Sequence, residues 1–324
     1  MTETDVTVVI PVCNEAAVLP DLLRALHDQT RPAIRILIVD AGSIDETCEV
    51  ARDLITFYPE VALISAGAAT PGHARNIGIK EADTEWVLLV DAGMQPETTL
   101  VEHLVNARER VPSASVILGS RGLKIEPSWR VAAIVTTLPP RVKAGGSWAR
   151  FSLVPCLLKR RAWLAAGGIP DWRAGEDKEF LRRLESSGAE IGYSSESDVT
   201  WDIAYSRGRL FKKWRVYEYH DAVHGESWHR PAVAYNLVGV LLSGLVICRI
   251  GWTGVLMLLL PHIVRTSIRY WRHRKRGDSE VPLRPLVFVE ALIMSVLVDV
   301  SVLWGYCCYL LGREPREWGA SKRT

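Results

Sequence analysis

The residue pattern of this chain is that of an α/β domain on a mostly parallel sheet, followed by C-terminal α-helical membrane segments. Three observations predict it. Short β-branched runs alternate with helix-period stretches over the first hundred residues. Two of those predicted strands end in an Asp with a Gly close behind. The last third holds two apolar runs of membrane length. Such alternation favours parallel strands joined by crossover helices.

The elements follow in order. VTVVIPV (6–12) is an apolar run of the kind that strands buried on both faces use. AVLPDLLRALHDQ (17–29) sets Leu19, Leu22, Leu23 and Leu26 on one helical stripe. IRILIVDAGS (34–43) is the next strand, and DETCEVARDLITF (45–57) a helix with Asp45 at its start. VALISA (61–66) is a strand, GHARNIGIKEA (72–82) a helix behind a Pro-Gly turn, and EWVLLVDAG (85–93) a strand. Asp40 and Asp91 therefore fall at strand carboxyl ends, where open α/β sheets receive ligands. Each acid could instead do no more than cap its own turn.

Beyond Ser113 the pattern changes. SVILGSRG (115–122) reads as a strand, and 123–150 has no clean period. FSLVPCLLKRRAWLAAGG (151–168) leads to AGEDKEFLRRLESSG (174–188), a helix with Phe180, Leu181 and Leu184 inward and Glu176 and Asp177 in its first turn. Acids there complement the helix dipole, which accounts for the pair without any function.

The net charge of +2 conceals a division. Tyr205 to Pro285 holds 14 Lys/Arg against 5 Asp/Glu, so the remainder is net acidic. The same region opens the apolar runs, about 232–264 and 286–312, separated by RTSIRYWRHRKRG. Aromatic flanks and basic neighbours mark membrane segments rather than soluble core helices. The first run is too long for one ordinary span and short for two, with Arg249-Ile250-Gly251 as its break. Arg265 to Arg276 reads as a cytoplasmic loop, yet the tail, with Arg313, Arg316, Lys322 and Arg323, also reads as cytoplasmic. An odd number of spans between them conflicts with that, unless a segment is re-entrant or interfacial. Glu290 and Asp299 are acids within the second run, facing protein or placed for function. Residues 207–231, rich in Arg, Lys, Trp and Tyr, fit an interfacial stretch or a solvated basic surface. Two domains are expected, 1–222 and 223–324.

Other classes are set aside. The basic residues lie beside membrane-length runs, so nucleic acid is not an expected partner. Six scattered cysteines form neither a disulfide framework nor a zinc-ligand pattern. The acidic start MTETD lacks the basic opening of a signal peptide, which places the first domain on the cytoplasmic side.

Five motifs now line up. PVCNE (11–15), IVDAGSIDET (38–47), GHARNIG (72–78), LLVDAGMQPE (88–97) and GGIPDWRAGEDKEFLRRL (167–184) are similar, in order and spacing, to those of the inverting nucleotide-sugar glycosyltransferases of family 2. The resemblance covers roughly residues 5–220 and implies a GT-A, Rossmann-like fold. It implies that Glu15 and Asp40 hold the base and ribose of a nucleotide-sugar donor, with Pro11 shaping the loop. It places Arg75 at the pyrophosphate, Asp91 on a divalent cation (Mg²⁺ or Mn²⁺), Asp177 as catalytic base and Glu176 beside it. Arg215, in the basic stretch 207–221, is the implied partner of the donor phosphates. UDP is the default nucleotide.

Two departures stand out: Ala41 replaces the second Asp of D-D-G-S, and Gly93 the second Asp of D-x-D. One carboxylate can still hold such a metal when phosphates and water complete its shell. The reaction expected is a single displacement at the anomeric carbon, with one base for the acceptor hydroxyl. The acceptor is expected to be a lipid-linked or other saccharide at the membrane lipid surface, in cell-envelope or polysaccharide synthesis. Two alternatives are a polyprenyl-phosphate glycosyltransferase, which needs no base, and a non-catalytic glycosyltransferase-like membrane subunit. A processive synthase is disfavoured, because Q-x-x-R-W is absent.

Overall fold

A computed structural model describes residues 4–126, 128–138, 142–144, 147–149, 151–196, 199–201, 206–225, 252–276 and 284–315. The chain divides into two compact units, residues 1–123 with 142–202, and residues 124–141 with 203–324.

In the first unit the expected alternation is present. Strands β1 (Thr4–Val12), β2 (Ala33–Asp40), β3 (Val61–Ser65) and β4 (Trp86–Leu89) alternate with helices α1 (Leu19–His27), α2 (Thr47–Ile55) and α3 (Pro71–Glu81). There follow β5 (Met94–Pro96), α4 (Leu100–Arg110), β6 (Val116–Ser120) and β7 (Gly122–Leu123). The hairpin β8 (Val142–Ala144) and β9 (Ser147–Ala149) precedes β10 (Phe151–Lys159), α6 (Arg160–Ala165), α7 (Glu176–Ser186), β11 (Ile191–Ser194) and β12 (Val199–Trp201).

The main sheet has the order β11-β6-β10-β4-β1-β2-β3. Neighbours in it are parallel except where β10 runs antiparallel between β6 and β4. Its central strands are buried on both faces, which is why β1 and β2 read as unbroken apolar runs: Val8, Val9, Ile10, Leu37, Ile38 and Val39 are all inaccessible to water. The α1 stripe lies where its spacing predicts, with Leu19, Leu22, Leu23 and Leu26 buried. Each of these side chains is worth roughly 1.5–3 kcal/mol of burial.

Register sets the site. Pro11 pairs with Val39 and Val12 with Asp40 at the end of β1 and β2, while Asp91 lies two residues beyond the last β1–β4 pair, Val9 with Leu89. Both predicted acids thus stand at the carboxyl edge of the sheet, on the two strands that flank β1. Strand β4 stops at Leu89, short of the 85–93 predicted, because Asp91 already belongs to a turn in which its carbonyl accepts from Met94 N–H.

The second unit contains α5 (Trp129–Thr137), α8 (Arg207–Val223), α9 (Trp252–Lys275) and α10 (Pro285–Leu310). Of the first apolar run, residues 232–251, including the Arg249-Ile250-Gly251 break, lie outside the described residues, as do 226–231 of the basic stretch and Arg316, Lys322 and Arg323. The basic segment expected as a loop is helical through Lys275, since no Gly or Pro interrupts it before Gly277. Among the described residues α10 is the helix long and apolar enough to cross a membrane by length and composition.

Candidate active site

The loop after β1 is tied to the loop after β2. Asn14 sits at φ 59°. Its side-chain carbonyl accepts from the Ile44 N–H at 2.8 Å, and its own N–H donates to Ser43 Oγ at 2.9 Å. A short polar side chain is the kind that tolerates this left-handed backbone. The Glu15 N–H donates to Thr47 Oγ1 at 2.8 Å. Asp40 is buried, and its carboxylate accepts from the N–H groups of Gly42 and Ser43 at 3.1 Å each. Asp40 therefore caps the turn that follows its strand, as the turn-capping reading has it.

Helix α3 carries the central cation. Thr70 caps it, accepting from the His73 N–H at 3.1 Å. Two motif glycines allow its close approach: a Cβ at Gly72 would overlap the Pro170 carbonyl oxygen, and one at Gly78 the side chain of Val9. Asn76, which the sequence alone does not single out, pins the segment before α7. Its Nδ2 donates to the Ile169 carbonyl at 2.7 Å, and its Oδ1 accepts from Ile169 N–H at 2.9 Å and Trp163 Nε1 at 2.8 Å. The signal was the Asn of GHARNIG facing a Gly-Gly pair, Gly167 and Gly168, both at φ 77°.

Arg75 is 6% exposed and meets two carboxylates. Its Nη2 donates to Asp91 Oδ1 at 2.8 Å and its Nη1 to Glu176 Oε1 at 3.0 Å. Burial alone would weaken its charge, but Asp91 and then Glu176 outweigh that and hold its pKa above the ordinary value. Burial pushes the Glu176 carboxyl up; Arg75 opposes this, and neighbouring Asp177 adds to it. Gly175, at φ 81°, turns the chain into α7, so that Glu176 points into protein while Asp177 stays partly accessible. Asp177 Oδ1 accepts from the Lys178 N–H at 2.9 Å. Cys156, paired with Leu89 on β4, has its thiol pushed up to about 12 by burial and is not a nucleophile.

The structure thus brings Arg75, Asp91 and Glu176 into direct contact, with Asp177 next in the chain. Pro11, Glu15 and Asp40 line the neighbouring strand ends. Arg215 belongs to α8 in the second unit, where its guanidinium lies 5.3 Å from the centre of the Trp304 ring. Among the described residues no three His, Cys, Asp or Glu side chains converge on a preformed metal cage. Asp91 offers a single carboxylate, partly exposed and already bonded through one oxygen to Arg75. That donor set fits a cation arriving with phosphate and water ligands, rather than one held by protein alone.

Residues 7–144 match the family model described as "Glycosyl transferase family 2". Over these residues the match is to a family 2 glycosyltransferase domain. The "Succinoglycan biosynthesis protein ExoA" of Rhizobium meliloti (strain 1021) is 26% identical over 320 residues, 91% of this chain and 93% of that protein. The "Uncharacterized glycosyltransferase YibD" of Escherichia coli (strain K12) is 33% identical over 99 residues, 31% of this chain and 29% of that protein. Among solved structures, the mannosyltransferase PcManGT from Pyrobaculum calidifontis, in complex with GDP-Man and Mn²⁺, superposes with a TM-score of 0.64. It is 15% identical, and the match covers 97% of this chain and 89% of that one. The glycosyltransferase domain therefore has the GT-A fold that its motifs implied.

Proposed function

We propose that this glycosyltransferase moves one sugar, with inversion, from a nucleotide-sugar donor to a saccharide acceptor that is lipid-linked, in exopolysaccharide or cell-envelope synthesis. The observation that carries the reading is the Arg75 bridge. It couples Asp91, at the strand edge where a donor would lie, to Glu176, the residue before Asp177. The full-length similarity to a succinoglycan biosynthesis protein supports a saccharide acceptor.

The division of labour follows from the chemistry. Negative charge develops on the departing diphosphate, and a cation preset at that point stabilises the transition state. Asp91 would hold the divalent ion, and Mg²⁺ or Mn²⁺ bound there would offset that charge. Arg75 keeps Asp91 and Glu176 at fixed places, and its assignment to the diphosphate is carried by the motif resemblance. Pro11, Glu15 and Asp40 form the nucleoside end, UDP being the donor nucleotide tried first. Asp177 takes the acceptor hydroxyl proton, a task suited to a part-exposed carboxylate at a helix start. Arg215 is assigned to the donor phosphates by the motif resemblance. Arg215→Ala should then raise the donor KM severalfold, and an unchanged KM removes it from that role.

A polyprenyl-phosphate acceptor is the second reading, since its nucleophile is already ionised and needs no base. The Glu176-Asp177 pair held at Arg75 favours the saccharide. The anomeric configuration of the product, read by NMR from a donor of known configuration, tests the single displacement. Inversion is expected, and retention would contradict it. Transfer should also stop with EDTA and return with Mg²⁺ or Mn²⁺; transfer unaffected by EDTA would remove the metal from Asp91.

A further inference from the structure

We propose that α10 lies in the plane of an anionic lipid bilayer, with one long face in the acyl chains and the other on protein, and does not cross it. The proposal concerns the second unit alone and stands independently of the sugar chemistry.

The two faces of α10 are distinct. Leu286, Val289, Ile293, Leu297, Val300 and Trp304 are all exposed and recur at helical spacing, so they form one stripe. At 1.5 Å per residue that stripe runs for about 27 Å. Opposite it, Val287, Ala291, Met294, Val302 and Gly305 are covered by protein or lie against it. The covering element is α8, along with α5. Arg207 pairs with Glu290 at 3.1 Å, Ser301 Oγ donates to the Phe211 carbonyl, and a Cβ at Gly305 would overlap the Arg215 carbonyl oxygen.

That packing decides the orientation. Helix α8 carries Arg207, Arg209, Lys212, Lys213 and Arg215. Were α10 to stand across a bilayer, α8 would be drawn with it into hydrocarbon, where such charges are costly. With the stripe facing down, α8 stays on the water side and the apolar side chains of the stripe meet the acyl chains. The acid deepest in the α10 sequence is likewise turned to protein: Asp299 accepts from Arg265 of α9, with Oδ1 at 3.1 Å.

Helix α9 also presents apolar side chains to the outside. Leu260, Val264 and Trp271 are exposed on it, and Arg272, Arg274 and Lys275 follow at its exposed end. Lys275 lies 4.9 Å from the Trp271 ring centre. An apolar face ending in Trp and basic residues suits acyl chains below and anionic headgroups beside them. The arrangement also removes the conflict in the sequence. The basic residues before α10 and those after it, from Arg313 on, both belong on one side of the membrane. A helix in the plane satisfies both, while a single span cannot.

The test uses the full chain expressed in cells. Arg284→Cys and Arg313→Cys, exposed positions flanking α10, are placed singly on a chain whose natural cysteines are serine. They are then labelled with a membrane-impermeant maleimide in spheroplasts and in inverted vesicles. Both positions should react in the same preparation; one reacting in each would overturn the proposal. A second arm measures flotation of purified protein with phosphatidylcholine vesicles, with and without phosphatidylglycerol. Ile293→Glu with Leu297→Glu should lower partitioning at least about tenfold while the far-UV CD spectrum is kept, since both side chains lie on the exposed stripe. Unchanged partitioning, or binding indifferent to phosphatidylglycerol, would also overturn it.

Discussion

The Arg75 guanidinium reaches the Glu176 carboxylate at 3.0 Å across 101 positions of sequence, and the two side chains are only 7% and 11% exposed. The contact fixes the start of α7 to the middle of α3, and through Asp91 to the end of β4. Removing one member of a buried pair leaves the other charged and dry, at a cost of about 3–5 kcal/mol. Arg75→Met strands two carboxylates and should lower the melting temperature markedly. Glu176→Gln keeps a neutral hydrogen bond and should cost roughly 1–2 kcal/mol. Thermal unfolding that ranks Arg75→Met at or above Glu176→Gln would show that the bridge does not organise the site.

The Glu176 carboxyl is raised by burial, which gives its stability effect a definite sign. A folded-state pKa above the unfolded value of about 4.3 means that the folded chain holds this proton more tightly. The contribution is fully present below that pH and is lost as pH rises through the folded value. The stability of the wild type minus that of Glu176→Gln should therefore fall with rising pH over this window. A difference that grows instead would mean that Arg75, not burial, sets the Glu176 titration.

Asp177 is the proposed base, and only its carboxylate changes in Asp177→Asn. Turnover should fall about 10²–10⁴-fold with the donor KM nearly unchanged. Steady-state kinetics at saturating donor measure this. A loss within about tenfold would demote Asp177 to a helix-start acid.

Asn76 holds Ile169, in the loop before α7, by two hydrogen bonds and accepts a third from Trp163 of α6. Asn76→Ala leaves buried partners unsatisfied and should destabilise the domain by roughly 1–3 kcal/mol. It should also reduce kcat, since that loop leads into Asp177. Gly72→Ala should act similarly, because its Cβ meets backbone at Pro170 that cannot rotate aside. Urea unfolding and kcat for both variants decide this, and full stability in either would contradict the packing described.

Much of the fold was legible because strands buried on both faces leave continuous apolar runs and α1 leaves a stripe. Helix α5 was not, since from Trp129 to Thr136 every residue is buried and no amphipathic period survives. Helix α4 and the short strand β5 were unassigned, though Leu100, Val101, Leu104 and Val105 have helical spacing. At the site, the Asp-Gly endings located Asp40 and Asp91 correctly at the sheet edge. What the sequence could not show is that Arg75 would be enclosed by Asp91 and Glu176, because that contact depends on how α7 returns to α3. Nor could it show that the first-turn acids of α7 divide, one buried against Arg75 and one partly accessible.

The most direct measurement is sugar transfer by the purified full chain from labelled UDP-, GDP- and dTDP-sugars. Bare polyprenyl phosphate and a lipid-linked saccharide extract are offered separately, each with Mg²⁺, Mn²⁺ or EDTA. The account predicts metal-dependent transfer to the saccharide pool from one donor, abolished by Asp177→Asn. Transfer to polyprenyl phosphate alone, undiminished by Asp177→Asn, would contradict it.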